Sequence, residues 1–456
     1  MRAFLDRSSP LDVELAIDLI AAQLENYMEH FEHLKTFLSK LGKEDGGRIR
    51  LVGAKTTYGY DLHFVLDEIR RSSNISLGKT LQLAISNNHG RLGGDVSWEQ
   101  LSLHLHGVQN LVLPMTTRWT GVTTVPSINT LTMHINGNGC ELTFALINCP
   151  QVRNLTLHVD DWAFSMGVLE RNRELLSNTL CKLHRLQILG EFEPTIELFQ
   201  ATHLVEVMDA IDNVHLGVSR GMFSLHCGYF EMSRNLTSMM MTNLALDDQI
   251  IPLDLTIQSS VYCYEGINVI ISGGVARSFL RSVTVPSLNL IDPRPTTDNN
   301  LASPIWDATA KLNASICTLR IDLEFLLDVI APASGAQLAQ LRHLEVSSIY
   351  DVGHTCACDN TACRSSGLNP PLCRAAAHVL PIRGLRTLTV KSSRSSRLYE
   401  EPLGSMLTST WVTRFVRGLV GDRKLNQLDI RDVAFVDCGN TLKEQLGKLS
   451  VVVLGL

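Results

Sequence analysis

The chain has 456 residues, of which 45% are apolar and 19% charged, with only 31 glycines and 15 prolines. That composition excludes a disordered, collagen-like or low-complexity chain. Forty basic residues face 46 acidic ones, for a net charge of −6. There is thus no general electrostatic footprint for a phosphate backbone or an anionic membrane, and nucleic acid is not an expected partner.

From the N-terminus, charge interrupts every apolar run: Arg2, Asp6 and Arg7 come first, and Asp18 breaks Leu15–Leu24. No secretory core and no span of about 18 uncharged apolar residues exists, so we expect an intracellular protein, cytoplasmic or nuclear, with no membrane partner. Eleven cysteines in such a chain are not a disulfide framework. Seven of them, Cys140, Cys149, Cys181, Cys227, Cys263, Cys317 and Cys438, sit singly in apolar contexts, as reduced core thiols would.

The first elements read as a strand over Leu11, Val13, Leu15 and Ile17, then a helix from Leu24 through Leu41 to Gly42. Further strands follow at 49–51 and 81–85. Residues 1–105 thus read as weaker forms of what comes next. From Val108 onward an apolar triplet at i, i+3 and i+5 recurs twelve times, from Val108-Leu111-Leu113 to Leu446-Leu449-Val451. Others include Ile250-Leu253-Leu255, Leu280-Val283-Val285, Ile316-Leu319-Ile321, Leu341-Leu344-Val346, Leu385-Leu388-Val390 and Leu425-Leu428-Ile430. Apolar triplets are cheap in a chain this rich in aliphatics. The interleaved positions are more telling: i+2 and i+4 are each polar in eleven of twelve matches, with Pro252 and Val112 the exceptions. A strand places alternate side chains on opposite faces, so such columns predict one buried and one polar face.

The central residues lie 20 to 44 positions apart, with helical periodicity between several of them, as at 162–183 and at Met406, Leu407, Trp411, Phe415 and Leu419. Strand, turn and helix of variable length then make one repeat. The expected fold is α/β: one irregular leucine-rich-repeat solenoid, or horseshoe, over residues 1–456. A parallel sheet lies on its concave side and helices on its convex side. Residues 292–303 read as a loop or linker, and 351–373 as a cysteine-rich insertion.

The opening Phe4-Leu5-Asp6-Arg7-Ser8-Ser9-Pro10-Leu11-Asp12-Val13-Glu14-Leu15, with Arg48-Ile49-Arg50-Leu51 and the later Leu-x-x-Leu-x-Leu strands, resembles the repeat region of fungal F-box and leucine-rich-repeat-like proteins. The resemblance implies a scaffold whose repeats select the protein to be ubiquitylated, while an F-box docks on a cullin-ligase adaptor. The chain has no Leu-Pro start and no tryptophan before Trp98, so the adaptor is implied as a partner only where an F-box is present.

Local clusters that suggest chemistry are few. Gly78-Lys79-Thr80 lacks the earlier glycine of a phosphate-binding loop, and a strand follows where a helix is needed. Glu-His-Phe-Glu-His at 29–33 lacks metalloprotease spacing, and Asn136-Gly137-Asn138-Gly139 reads as a turn. His134 and His158 fall in one column of adjacent repeats, which suits a polar ladder better than a two-ligand metal site. Above background is the run from His354 to His378 with Cys356, Cys358, Cys363 and Cys373. Those four thiols could hold a structural zinc, stay free in a loop, or form a local disulfide. A metal-dependent module or enzyme built there is the alternative to a non-catalytic scaffold without cofactor.

The ligand of such a scaffold is expected to be a protein bound on the concave face. Its charged columns hold Arg320, Asp322, Glu345, Thr389, Lys391, Asp429 and Arg431, where the earlier repeats offer Thr132, His134, Thr156, His158, Gln187 and His215. Reversing Arg320 and Arg431 is expected to abolish binding and leave stability nearly unchanged.

Overall fold

The computed structural model describes residues 13–19, 27–44, 49–56, 59–71, 80–85, 95–114, 117–119, 121–135, 140–159, 171–191, 195, 198, 202, 204–219, 252–259, 266–273, 279–286, 315–323, 326, 338–347, 382–391, 406–407, 409–435 and 440–454. The loop expected at 292–303, the cysteine-rich run at 351–373 and the Asn136–Gly139 turn lie outside them. The chain forms two compact units, Met1–Gly217 and Val218–Leu456.

In the first unit, eight strands among the described residues share a sheet. They are β1 (Val13–Asp18), β2 (Ile49–Thr56), β3 (Thr80–Ile85), β5 (Asn110–Val112), β7 (Thr130–Ile135), β8 (Asn154–Val159), β9 (Arg185–Glu191) and β10 (Asn213–Ser219), in chain order. β4 (Val96–Ser97) and β6 (Thr117–Arg118) pair separately. Every pairing from β1 to β9 is parallel, with Leu15, Val52, Leu81, Leu111, Leu131, Leu155 and Leu186 in one continuous register. The strands read at 11–17, 49–51 and 81–85 therefore join the same ladder as the clearer repeats. Between strands run α1 (Tyr27–Glu44), α2 (Gly59–Arg71), α3 (Trp98–Ser102), α4 (Cys140–Asn148), α5 (Arg173–Leu180) and α6 (Leu204–Val207). α1 continues past Gly42, where the sequence suggested a stop.

The second unit also places eight described strands in a sheet, in the order β13 (Phe279–Pro286), β12 (Gly266–Gly273), β11 (Leu253–Ser259), β14 (Ile316–Asp322), β15 (His343–Ser347), β16 (Thr387–Lys391), β18 (Leu425–Arg431), β20 (Ser450–Leu454). From β11 through β14 to β20 the pairing is parallel, whereas β11, β12 and β13 are antiparallel neighbours. The fold is thus mixed α/β with mostly parallel strands. α7 (Ser409–Val420) buries Trp411, Phe415 and Leu419, as their spacing predicts, and ends where Gly421 takes φ 66°. Met406 and Leu407, read as helical, form the short strand β17 (Met406–Leu407) beside β19 (Ala434–Phe435). α8 (Asn440–Gly447) precedes the last strand.

Nine of the twelve triplets are buried at all three positions. Their geometry repeats in detail. The amide of the first triplet residue donates to the carbonyl three residues earlier at Val108, Ile128, Val152, Leu183, Ile211, Leu341 and Leu385. The residues whose carbonyls accept these bonds, Leu105, Val125, Cys149, Leu180, Met208, Leu338 and Ile382, are all buried, a fourth apolar position beyond the triplet. In the next turn of chain, single carbonyls accept two amides from the following repeat: Gln109 from Asn129 and Thr130, Arg342 from Arg386 and Thr387, Arg386 from Asn426 and Gln427. Turn and strand entry are thereby fixed by the backbone in each unit.

Three triplets are corrected. Leu255, not Leu253, stands opposite Leu319, after a register shift between Leu253 and Asp254. The repeat is displaced by two residues, which puts Asp254 and Thr256 in the polar columns and removes Pro252 from them. Leu280-Val283-Val285 lies in β13, beyond the antiparallel hairpin; Leu280 is exposed while Arg281 and Ser282 are buried, the reverse of a repeat. In the last match Ser450 faces Leu425 and Val453 faces Leu428, so Val451 is left 74% exposed. Two of these are register errors, since an aliphatic triplet in a β-rich segment can be satisfied in a register one or more residues away, and the third lies in an antiparallel strand outside the repeat.

Candidate recognition face

Alternation along β14, β15, β16 and β18 buries Leu319, Leu344, Leu388 and Leu428 with Ile321, Val346, Val390 and Ile430. The interleaved side chains therefore share the opposite face. Parallel register sets them in rows. One row is Thr318, His343, Thr387 and Gln427; the next is Thr256, Arg320, Glu345, Thr389 and Asp429. A third pairs Asp322 with Ser347 and Lys391 with Arg431. All seven residues singled out from the sequence fall on these rows.

The seven are not equivalent. Arg320 Nε lies 3.6 Å from Glu345 Oε2, with both side chains partly exposed. Asp429 is only 4% exposed and holds Arg431, whose Nε and Nη2 donate to its Oδ2 at 2.8 and 2.6 Å. Those bonds and the carboxylate's charge raise the Arg431 pKa above its ordinary value, with Glu345 adding to the effect. Asp322, 2% exposed, accepts a hydrogen bond from Ser347 Oγ at 2.6 Å, and Ser347 Oγ accepts one from Gln258 Nε2 at 3.3 Å. Asp322 and Asp429 are therefore supports that orient neighbours, while Arg320, Glu345, Thr389, Lys391 and Arg431 are open to a ligand. Ser347 and Gln258 were not singled out: Gln258 reaches this row only through the two-residue displacement of β11.

The corresponding rows of the first unit carry fewer charges, with Asp18 opposite Lys55 and Arg185 beside Asn154. Thr132, Thr156 and Gln187 stand in register, and His134 faces His158 with ring centroids 4.7 Å apart and planes at 20°. Cross-strand amides add Asn110 Nδ2 to Thr80 Oγ1 and Asn154 Nδ2 to Thr130 Oγ1, at 3.1 and 3.3 Å. Burial, with Arg185 nearby, lowers the pKa of His215.

A separate cluster lies on α2, where His63 and Asp67 are one turn apart. His104 Nε2 approaches Asp67 Oδ1 at 3.7 Å, and its side chain is 5% exposed. Neither ring nitrogen of His63, nor Nδ1 of His104, has a hydrogen-bond partner among the described residues. Burial depresses both imidazole pKa values, against the opposing pull of Asp67. The i, i+4 spacing of His63 and Asp67 is visible in the sequence; the approach of His104 is not.

No group of three or more His, Cys, Asp or Glu among the described residues is arranged to hold a metal ion. Cys356, Cys358, Cys363 and Cys373 lie outside those residues. Cys149, Cys181 and Cys317 are free thiols, and burial pushes Cys149 up to about 12, which makes it inert as a nucleophile. Thr80–Ile85 after Gly78-Lys79 is a strand, so the helix of a phosphate-binding loop is missing there. No described helix is long and apolar enough to cross a membrane. No family model matches the chain, and no curated protein matches it.

Proposed function

We propose that the chain is a non-catalytic protein-recognition scaffold of irregular leucine-rich-repeat type, a solenoid with the parallel sheet on its concave side and helices outside. In this reading it acts inside the cell as the substrate-recognition part of an F-box type ubiquitin ligase, with a cullin-ligase adaptor as second partner where an F-box is present. One observation carries the recognition function: the in-register rows Arg320–Glu345–Thr389–Asp429 and Lys391–Arg431, which set charges of both signs at fixed spacing on hydrogen-bonded strands. Side chains ordered in the free protein lose little further entropy on binding, and mixed charges reward only a complementary surface. The repeated strand-entry hydrogen bonds support the solenoid, since each unit is built to stack on an equivalent one.

Affinity capture from a native lysate with mass spectrometry tests the ligase assignment. Adaptor and cullin subunits recovered with the chain support it. A recurring partner without them restricts the function to a scaffold, and hydrolytic turnover by the purified chain contradicts both.

A further inference from the structure

Resting on the recognition reading above, we propose that the Lys391–Arg431 rung binds a carboxylate of an acidic, extended segment of the partner protein. The two residues stand directly opposite each other on adjacent parallel strands, whose backbones run about 4.8 Å apart, so two cationic side chains leave the sheet side by side. Like charges so placed destabilise a sheet. Arg431 is compensated by Asp429, and Arg320 by Glu345. Lys391, half-buried at the end of β16, forms no ion pair or hydrogen bond with any described residue. Among the described residues of these rows it is the one uncompensated cation.

Arg431 offers the second half of the site. With Nε and Nη2 turned to Asp429 Oδ2, its planar fork is fixed in orientation, its side chain is 59% exposed, and Nη1 has no described partner. A carboxylate set between the Lys391 ammonium and Arg431 Nη1 gains two charge-assisted hydrogen bonds and removes the like-charge penalty. The neighbouring rows favour an extended peptide over a lone anion. Glu345 and Arg320 lie further along the face, Thr389 stands in the row beside the rung, and Thr387 and Gln427 offer neutral hydrogen-bonding groups in the row beyond it. The chain's overall charge of −6 argues that an acidic ligand is drawn by this local rung and not by the molecule's field.

The test is fluorescence anisotropy of a labelled hexaglutamate peptide titrated with the full chain at about 20 mM and about 150 mM salt. Wild type binds saturably at the lower salt and more weakly at the higher. Lys391→Gln weakens binding at least about fivefold, yet leaves the urea midpoint unchanged or higher because a repulsion has been removed. Lys448→Gln, which removes a cation paired with Glu444 away from the rung, leaves binding unchanged. Equal binding by wild type and Lys391→Gln overturns the proposal, as does complete displacement of the peptide by millimolar inorganic phosphate, which would mark a free-anion site. If the peptide fails to bind while a charge swap of Arg320 and Glu345 still alters partner capture, this inference falls and the recognition reading stands.

Discussion

Glycine, at two positions, is dictated by a close approach of backbone. A Cβ on Gly384 would overlap the Arg342 guanidinium and crowd the carbonyls of Leu341 and Ala339. Arg342 Nη1 reaches across to donate to the Gly384 carbonyl, as Arg153 Nη1 does to Lys182 one unit earlier in the chain. Gly384→Ala should therefore cost about 1–3 kcal/mol in urea unfolding, and Gly190→Ala, whose Cβ would meet the Val159 carbonyl, a similar amount. Wild-type stability in both would show that the strand entries are loose. Histidines make the second residue-scale prediction. His63 and His104 are held neutral, with folded pKa values below the ordinary 6.5. The unfolded chain takes up these protons first as pH falls. Their contribution to stability is complete above 6.5 and is lost as pH drops through 6.5 toward the depressed folded values. The groups facing them are Asp67 and Arg70. Melting temperature should fall between about pH 7 and pH 5, and the fall should be shallower in His63→Gln/His104→Gln. Identical pH profiles would remove the cluster from the account.

Strand-level arguments rest on rows, not single side chains. Leu388 is fully buried between Leu344 and Leu428, so Leu388→Ala should lower stability by about 2–5 kcal/mol. Thr389→Ala, on the other face of the same strand, should change stability by under about 0.5 kcal/mol. Comparable losses at both would mean that this face is buried too. Reversal of Arg431 now has a different expected outcome from reversal of Arg320. Glu at 431 would set a second carboxylate against the nearly buried Asp429, so its unfolding midpoint should drop, whereas Arg320→Glu breaks only a partly exposed pair. Of the two reversals, we therefore expect only Arg320→Glu to spare stability.

Across the molecule, period-2 alternation was legible wherever the strand lay in a regular parallel ladder. Nine triplets were placed correctly because burying an aliphatic column leaves one register open to them. What failed was context: nothing in Leu280-Val283-Val285 shows that an antiparallel hairpin precedes it, and Leu446-Leu449-Val451 fits the pattern while only Leu446 and Leu449 are buried. The charged face was legible for the same reason as the core, since polar i+4 and i+6 positions follow from the apolar ones. The division of labour within it was not, because whether Asp322 or Asp429 points into support or solvent depends on Ser347 and Arg431 in space. The central claim is that the pattern of charges on this face selects a protein partner. The direct measurement is comparative affinity capture by wild type and the swap Arg320→Glu/Glu345→Arg, which keeps the ion pair and the net charge but reverses the order of charges across the rows. We predict an unfolding midpoint within about 1 kcal/mol of wild type and loss of the partners that wild type recovers. Recovery of the same partners by both proteins would contradict the account.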